Sequence, residues 1–319
     1  MTAKVLFFGD PGIDDTLAIM YGLLNPKIEI VGIVPGYGNV NQEQAVQNVA
    51  YLLSLAGKMD IPIIAGAKRP LTGEAIPYYP EIHGAKGLGP IRPPNTLPTA
   101  ELLNFNEIFN IIESYENELY IVDVGRSTSL AIAFNLGGDV MNKVKGYYIM
   151  GGAFLVPGNV TPVAEANFNG DPIASNFVVE HARNLSIFPL NITNNALLTS
   201  EMVDTIVQFG TKNPFRNLIK PIFDYYFEAY KKNVPGIKGT PLHDVVALSA
   251  IVNPSIVQYA LRRVNIEMFG ITKGLSLADF RPNPEAEPPE TLDRIALRFD
   301  YEQFINDFIR ISTMGVTDR

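Results

Sequence analysis

Cysteine and tryptophan are absent from this 319-residue chain, and histidine occurs three times only, at His83, His181 and His243. Without cysteine, disulfides and thiolate metal sites are excluded. Positive charge is scarce: 25 Lys and Arg stand against 33 Asp and Glu, a formal net charge of −8, with no basic block. Nucleic acid is therefore a poor partner, and a neutral or cationic ligand a better one. No stretch approaches the ~18 consecutive apolar residues of a membrane span. The opening "MTAKVLFFGDPG" has one lysine and a short apolar run before acid, which is not a secretory pattern. The expectation is a soluble cytoplasmic protein that binds no membrane.

What is present is globular composition, 47% hydrophobic and 18% charged. "KVLFFG" reads as a buried strand. "DDTLAIMYGLLN" follows at helical spacing, with Leu17, Met20, Leu23 and Leu24 on one face. "IEIVGIVP", a helix ending at a glycine, and "IPIIAG" continue the alternation. "LYIVDVG", "VKGYYIM" and "LSIFPL" extend it, with helices between. "RIALRFD" and "YEQFINDFIRI" read as a late strand and a closing helix. This pattern predicts an α/β fold, a single domain over 1–319 with a mostly parallel central sheet flanked by helices. Residues 65–100 carry seven prolines and "EIHGAKGLGP". A loop of that length is usually functional. It and residues 220–240 are the candidate active-site loops, while "RPNPEAEPPE" at 281–290 reads as an acidic surface loop.

Asp10, Asp14 and Asp15 crowd six positions between the first strand and the first helix. One aspartate there caps a helix. Three do not: two carboxylates ~4 Å apart repel by about 4 kcal/mol at an effective dielectric near 20. A helix N-terminus returns only ~0.3–1 kcal/mol each. A bound cation reverses that balance, and clustered oxygen donors without thiolate or imidazole suit a hard ion, Ca²⁺ or Mg²⁺. In an open parallel sheet, ligands bind beyond the carboxyl ends of the strands. Other polar residues fall at those ends: Asn39, Thr128, Asn159, Glu165 and Asn167, with His243-Asp244 opening a later helix. Such carboxamides and carboxylates suit a polyhydroxy ligand, whose hydroxyls both donate and accept.

Together "GDPGIDDTLAI", "GN" after the second strand, "HGAKGLG", "MGGA", "GNVTPVAEANFNGDP" and "LHDVVAL" resemble the inosine–uridine-preferring nucleoside hydrolase family over the full length. That resemblance implies a Rossmann-like nucleoside hydrolase fold. It also implies cleavage of the N-glycosidic bond of purine or pyrimidine ribonucleosides, through an oxocarbenium-like transition state. It implies one Ca²⁺ per chain, held by Asp10, Asp15, Asp244 and the Thr128 backbone carbonyl. Asp10 is then also the base that takes a proton from the attacking water. Asp14, Asn39 and Asn167 are expected on the ribose 2′/3′ side, Asn159 and Glu165 at the 5′-hydroxyl, and Met150 under the sugar. His243 is expected to donate to the leaving base, with His83, Tyr226 and Tyr230 as further candidates on that side. His181 is expected to be structural. A homodimer or homotetramer acting on a small ribonucleoside is the implied assembly.

The chain departs from the family pattern at Phe8, where the first Asp of Asp-x-Asp-Pro-Gly-x-Asp-Asp is usual. "GRSTS" stands for Gly-Pro-x-Thr-Asn, so Ser129 replaces an asparagine. The absence of tryptophan argues against the branch that sandwiches purines between tryptophans. Two other readings fit part of the pattern. A haloacid dehalogenase-type phosphatase also places Asp after the first strand and uses Mg²⁺, but Phe8 occupies the position of one of its acids. A catalytically inactive nucleoside- or ribose-binding protein is the second.

Overall fold

The computed structural model describes residues 2–94, 101–282 and 288–316. Residues 95–100 of the long loop and 283–287 of the acidic loop lie outside them. The chain begins β1 (Ala3–Gly9), α1 (Ile13–Leu24), β2 (Ile28–Pro35), α2 (Gln42–Ala56), β3 (Ile63–Ile64), α3 (Pro80–His83), β4 (Leu102–Leu103) and α4 (Glu107–Ser114). It continues with β5 (Leu119–Asp123), α5 (Thr128–Gly137), β6 (Gly146–Met150), α6 (Ala166–Gly170), α7 (Pro172–His181), β7 (Leu185–Phe188) and α8 (Leu190–Thr193). Then come β8 (Leu197–Leu198), α9 (Ser200–Phe209), α10 (Arg216–Asn233), β9 (Thr240–Pro241) and α11 (His243–Val252). Last are β10 (Val257–Arg262), β11 (Asn265–Ile266), β12 (Ser276–Leu277), β13 (Asp293–Phe299) and α12 (Tyr301–Ser312).

Nine strands form one sheet in the order β10-β13-β7-β6-β5-β1-β2-β3-β4, parallel throughout except for β10 against β13. The chain runs outward from β1 through β2, β3 and β4, then returns to β5 on the other side of β1 and runs outward again. The order therefore reverses between β1 and β5. A crevice opens at such a reversal, because the following segments leave in opposite directions.

β1 shows how the sequence fills both faces. Val5 and Phe7 join one buried cluster with residues of α1, α2, α10, α11 and α12. Leu6 and Phe8 join a second cluster with residues of α4, α5 and α7. A continuous apolar run, whose successive residues point to opposite faces, is what a strand buried on both sides requires. α1 is buried along its whole length, Ile13 to Leu24, rather than on the single face its spacing suggests. It lies against α11, α12, α10 and β2 together. The strand expected over "IPIIAG" shortens to two residues, and "VQYALRRVNIEM" divides into β10 and β11. Residues 220–240 are largely the end of α10 and not a loop. Among the described residues, no helix is long and apolar enough to cross a membrane.

Phe8 is 1% exposed and sits in register with Asp123 of β5 and Val34 of β2. Its ring belongs to the apolar layer under α5. Phe8→Ala should cost ~3–5 kcal/mol, the usual loss for emptying a buried aromatic site. Urea unfolding followed by circular dichroism checks this, and a loss under ~1 kcal/mol would show that the layer collapses around the gap.

Candidate active site

The turn from β1 into α1 passes through Asp10-Pro11-Gly12, at the point where the strand order reverses. Asp15 closes that turn on itself. Its carboxylate accepts the backbone N–H of Asp10 at 2.9 Å and of Gly12 at 3.1 Å, and Asn39 Nδ2 at 3.1 Å. Asn39 comes from the turn after β2 and holds Asp10 as well. Its backbone N–H donates to Asp10 Oδ2 at 2.8 Å, while its Nδ2 makes a longer 3.4 Å contact to Oδ1. Gly38, just before, has to be glycine for space: a Cβ there would fall 1.5 Å from Asp10 Oδ2 and 2.8 Å from its Cβ.

Above this floor is a cavity of about 460 Å³. That volume lies within the range of small-molecule sites. Its lining includes Asp14, Asn39, Val124, Met150, Asn159, Glu165, Asn167 and Asp244, together with His83, Tyr79, Tyr226, Tyr230, Asn194 and His243. Each of Asp14, Asp15 and Asp244 offers an oxygen within 4.8 Å of the others, a set that can hold a metal ion. Asp10 lies beside this triad and beneath the cavity wall.

Electrostatics follow from burial. Asp14 and Asp15 are each pushed up to about 6, and Asp10 and Asp244 well above the ordinary carboxylate range. Desolvation is the first cause in every case. The neighbouring acids raise Asp10, Asp15 and Asp244 further, while Arg126 lowers Asp10. Asp14 Oδ1 is buried with no hydrogen-bond partner. Among the described residues no lysine or arginine pairs with these four carboxylates, and His83 Nδ1 stands 3.8 Å from Asp14. His83 is itself pushed down to about 4 by burial, so it brings no positive charge near neutral pH. A cluster of desolvated acids with an orphaned oxygen and only oxygen donors fits a hard cation.

The ribose-side candidates are brought together. Asn167 Nδ2 donates to the carbonyls of Val124 at 2.9 Å and Met150 at 3.1 Å, which leaves its Oδ1 as the acceptor. Asn159 Oδ1 accepts the Ala166 N–H at 2.9 Å, leaving its amide hydrogens to donate. Glu165 is 1% exposed and accepts three backbone N–H groups, from Gly152, Asn167 and Phe168, as the cap of α6. It faces the cavity with little unspent hydrogen-bonding capacity.

Thr128 is the correction. Its hydroxyl bonds Asp171 Oδ2 at 2.7 Å and Tyr37 at 2.8 Å, in a separate small cavity with Phe8 and Asp123. As the first residue of α5, its carbonyl runs along the helix. The residue of this segment that lines the main cavity is Val124, at the tip of β5. Ser127, at φ 57°, makes the left-handed turn that separates the two. No sequence signal marks Val124, because every residue carries a carbonyl.

On the far side, His243 opens α11. Its Nδ1 pairs with Thr193 Oγ1 at 2.9 Å and its Nε2 with the Tyr230 hydroxyl at 3.0 Å. Tyr226 donates to Tyr230 at 3.4 Å. His83 Nδ1 accepts the Ile13 N–H at 3.1 Å, which assigns its own proton to Nε2, and its ring lies 5.5 Å from that of Tyr226. Thr193 and Tyr79 escaped the sequence reading, since neither lies in a marked motif. His181 is exposed on α7, stacked on Phe177 at 4.0 Å. The long loop is pinned as a wall: Leu71 N–H to Asp171, Ala67 N–H to Ser129, and the Lys86 carbonyl to Asn48.

A Gly38→Ala substitution should rotate Asp10 out of place while leaving the fold, because the Gly38 backbone is not left-handed. If Asp10 takes part in proton transfer, kcat should fall by ~10²-fold or more. Steady-state kinetics beside an unchanged melting temperature check this, and full turnover would clear Asp10 of any direct role.

The sequence model described as inosine-uridine preferring nucleoside hydrolase matches residues 5–306. Uridine nucleosidase 1 of Arabidopsis thaliana is 34% identical over 279 residues, 86% of this chain and 82% of its own length. The inosine-uridine preferring nucleoside hydrolase of Crithidia fasciculata is 32% identical over 308 residues, 95% of each. Among solved structures, a purine-preferring ribonucleoside hydrolase from Gardnerella vaginalis is similar with a TM-score of 0.89 at 28% identity, covering 97% of this chain and 98% of that one. The plant nucleoside hydrolase PpNRh1 is similar with a TM-score of 0.86 at 30% identity, covering 98% and 99%.

Proposed function

Because the chain belongs to the inosine-uridine preferring nucleoside hydrolase family, and so hydrolyses the N-glycosidic bond of ribonucleosides, we propose that its acid cluster holds one calcium ion and works on the ribose. Membership of that family displaces the phosphatase reading. The observation that carries the proposal is the convergence of Asp10, Asp14, Asp15 and Asp244 at one strand reversal without a paired lysine or arginine among the described residues. Asp15, Asp244 and Asp10 would hold the ion, with the carbonyl of Val124 in place of Thr128. When bound, it offsets the clustered negative charge and makes a nearby water easier to deprotonate.

The chain's own groups do the rest. Asp10 Oδ2 is engaged by a backbone N–H, and Oδ1 has only the long Asn39 contact. Oδ1 is thus the free lone pair proposed to take the proton from the attacking water. Asp14, Asn39 and Asn167 face the 2′- and 3′-hydroxyls. Asn39 and Asn167 both spend their N–H groups on the protein, so each offers the hydroxyls an acceptor. Asn159 is suited to donate to the 5′-oxygen, with Glu165 fixing the segment beside it. The thioether of Met150 lies at the cavity wall, next to Asn167, as the apolar floor for the sugar. Fixed negative charge around the ring stabilises positive charge as it develops at C1′.

Departure of the base needs a hydrogen bond to its ring nitrogen or carbonyl. Tyr226, Tyr230 and His243 line the cavity and are proposed to supply it once the Tyr226 hydroxyl turns its proton from Tyr230 to the base, with His83 Nε2 nearby. The relatives include both a uridine nucleosidase and a purine-preferring hydrolase. The reading here is accordingly a ribose-directed site that accepts either base class. A cytoplasmic homodimer or homotetramer acting on a small ribonucleoside completes the proposal.

Two measurements test it. Calorimetry on chelator-stripped protein should show one Ca²⁺ bound per chain, with ribose release from inosine and uridine restored by the ion. No uptake at millimolar calcium would refute the metal assignment. His243→Ala should slow inosine and uridine cleavage by ~10²–10⁴-fold, the usual scale of general acid help, and largely spare a nitrophenyl riboside, whose leaving group departs unaided. Equal losses on both substrates would assign His243 to positioning instead.

A further inference from the structure

Arg126 is a buried arginine, 5% exposed, in the turn between β5 and α5. Its Nη2 donates to two backbone carbonyls from separate loops, Gly38 at 3.1 Å and Pro77 at 2.9 Å. Its guanidinium lies 5.4 Å from the centre of the Tyr37 ring, and its Nη1 is buried without a hydrogen-bond partner. The stem needs room that only glycine leaves: a Cβ on Gly170 would fall 2.4 Å from Arg126 Cδ.

Both carbonyls belong to walls of the site. Gly38 abuts Asp10 and is followed by Asn39, which holds Asp10 and Asp15. Pro77 stands two residues before Tyr79, which lines the cavity. Hydrogen bonds from a charged donor are about twice as strong as neutral ones. The two hydrogens of Nη2 serve the two carbonyls, on a planar head that loses less freedom per bond than an ammonium on a flexible stem. Arg126 further holds down the pKa of Asp10, Glu165 and Asp171 against burial.

We propose that Arg126 is a positioning residue, a clamp that ties the Gly38–Asn39 turn and the Pro77–Tyr79 wall to the tip of β5 and so sets Asp10 and Asn39 against the ribose. The proposal rests on the reading of Asp10 and Asn39 given above. Arg126 thereby adds a charged joint to the backbone hydrogen bonds, Tyr37 N–H to the Ala67 carbonyl among them, that already link these segments.

The test combines kinetics with amide hydrogen exchange on the intact protein. Arg126→Met should lower kcat/KM by on the order of 10²-fold, the scale of a displacement near 1 Å. It should also speed exchange at Tyr37–Asn39, whose amides are bonded to the Ala67 and Val40 carbonyls and to Asp10. Arg126→Lys, which keeps the charge and a donor, should recover part of both. Arg126→Met within threefold of the parent would overturn the clamp, as would lost activity with unchanged exchange at Tyr37–Asn39, or a lysine variant no better than methionine. Should Arg126→Met fail to fold, Gly170→Ala displaces the stem with the charge intact, and the same two readouts decide. Asp10→Asn is the separate check on the site. Full turnover in that variant would overturn the proposal through its premise, whatever the exchange data show.

Discussion

Four carboxylates buried at one strand reversal set the terms for the rest of this protein. Like charges at such separations repel by several kcal/mol in a partly desolvated setting, and a marginally stable domain tolerates that only where something opposes it. The scaffold opposes it with directed hydrogen bonds. Asp15 takes two backbone N–H groups and a side-chain amide; Asp10 takes the Asn39 backbone. These bonds fix orientation without cancelling charge. The remaining excess is what makes the cluster able to hold a cation.

Orientation depends on space as much as on bonds. The first strand delivers Asp10 at its carboxyl end, and the second must bring Asn39 to within hydrogen-bonding range. That approach is possible because Gly38 has no side chain. The long proline-rich loop forms the outer wall and is fastened at several points to α5, α7 and the β1–α1 turn through Ser129, Asp171 and His83.

The opposite wall is built on different physics. Burial pushes His83 and His243 down to about 4 and the two tyrosines further above their ordinary values. The rings are thus neutral, and His243, Tyr230 and Tyr226 are linked in one chain of hydrogen bonds while His83 accepts the Ile13 N–H. One cavity is therefore lined by neutral rings and by acids together, with His83 3.8 Å from Asp14.

Much of this was legible in the sequence, because its signals are local. Apolar runs broken by polar turns determine the α/β alternation, and acids directly after strands fall where a parallel sheet places ligands. Asp10, Asp14, Asp15, Asn39, Asn167, His243 and Asp244 belong to such turns, and all meet at or beneath one cavity. What needed the tertiary structure was anything defined by direction rather than residue type. A carbonyl has no sequence signature, so only the left-handed turn at Ser127 decides that Val124, and not Thr128, faces the site. An arginine in a polar turn reads as solvent-exposed until the loops that cover Arg126 are placed. α1 reads as one-sided until helices close over its other face. Sequence determines which groups are available at each strand end; packing over long chain separations determines which way they point and what surrounds them.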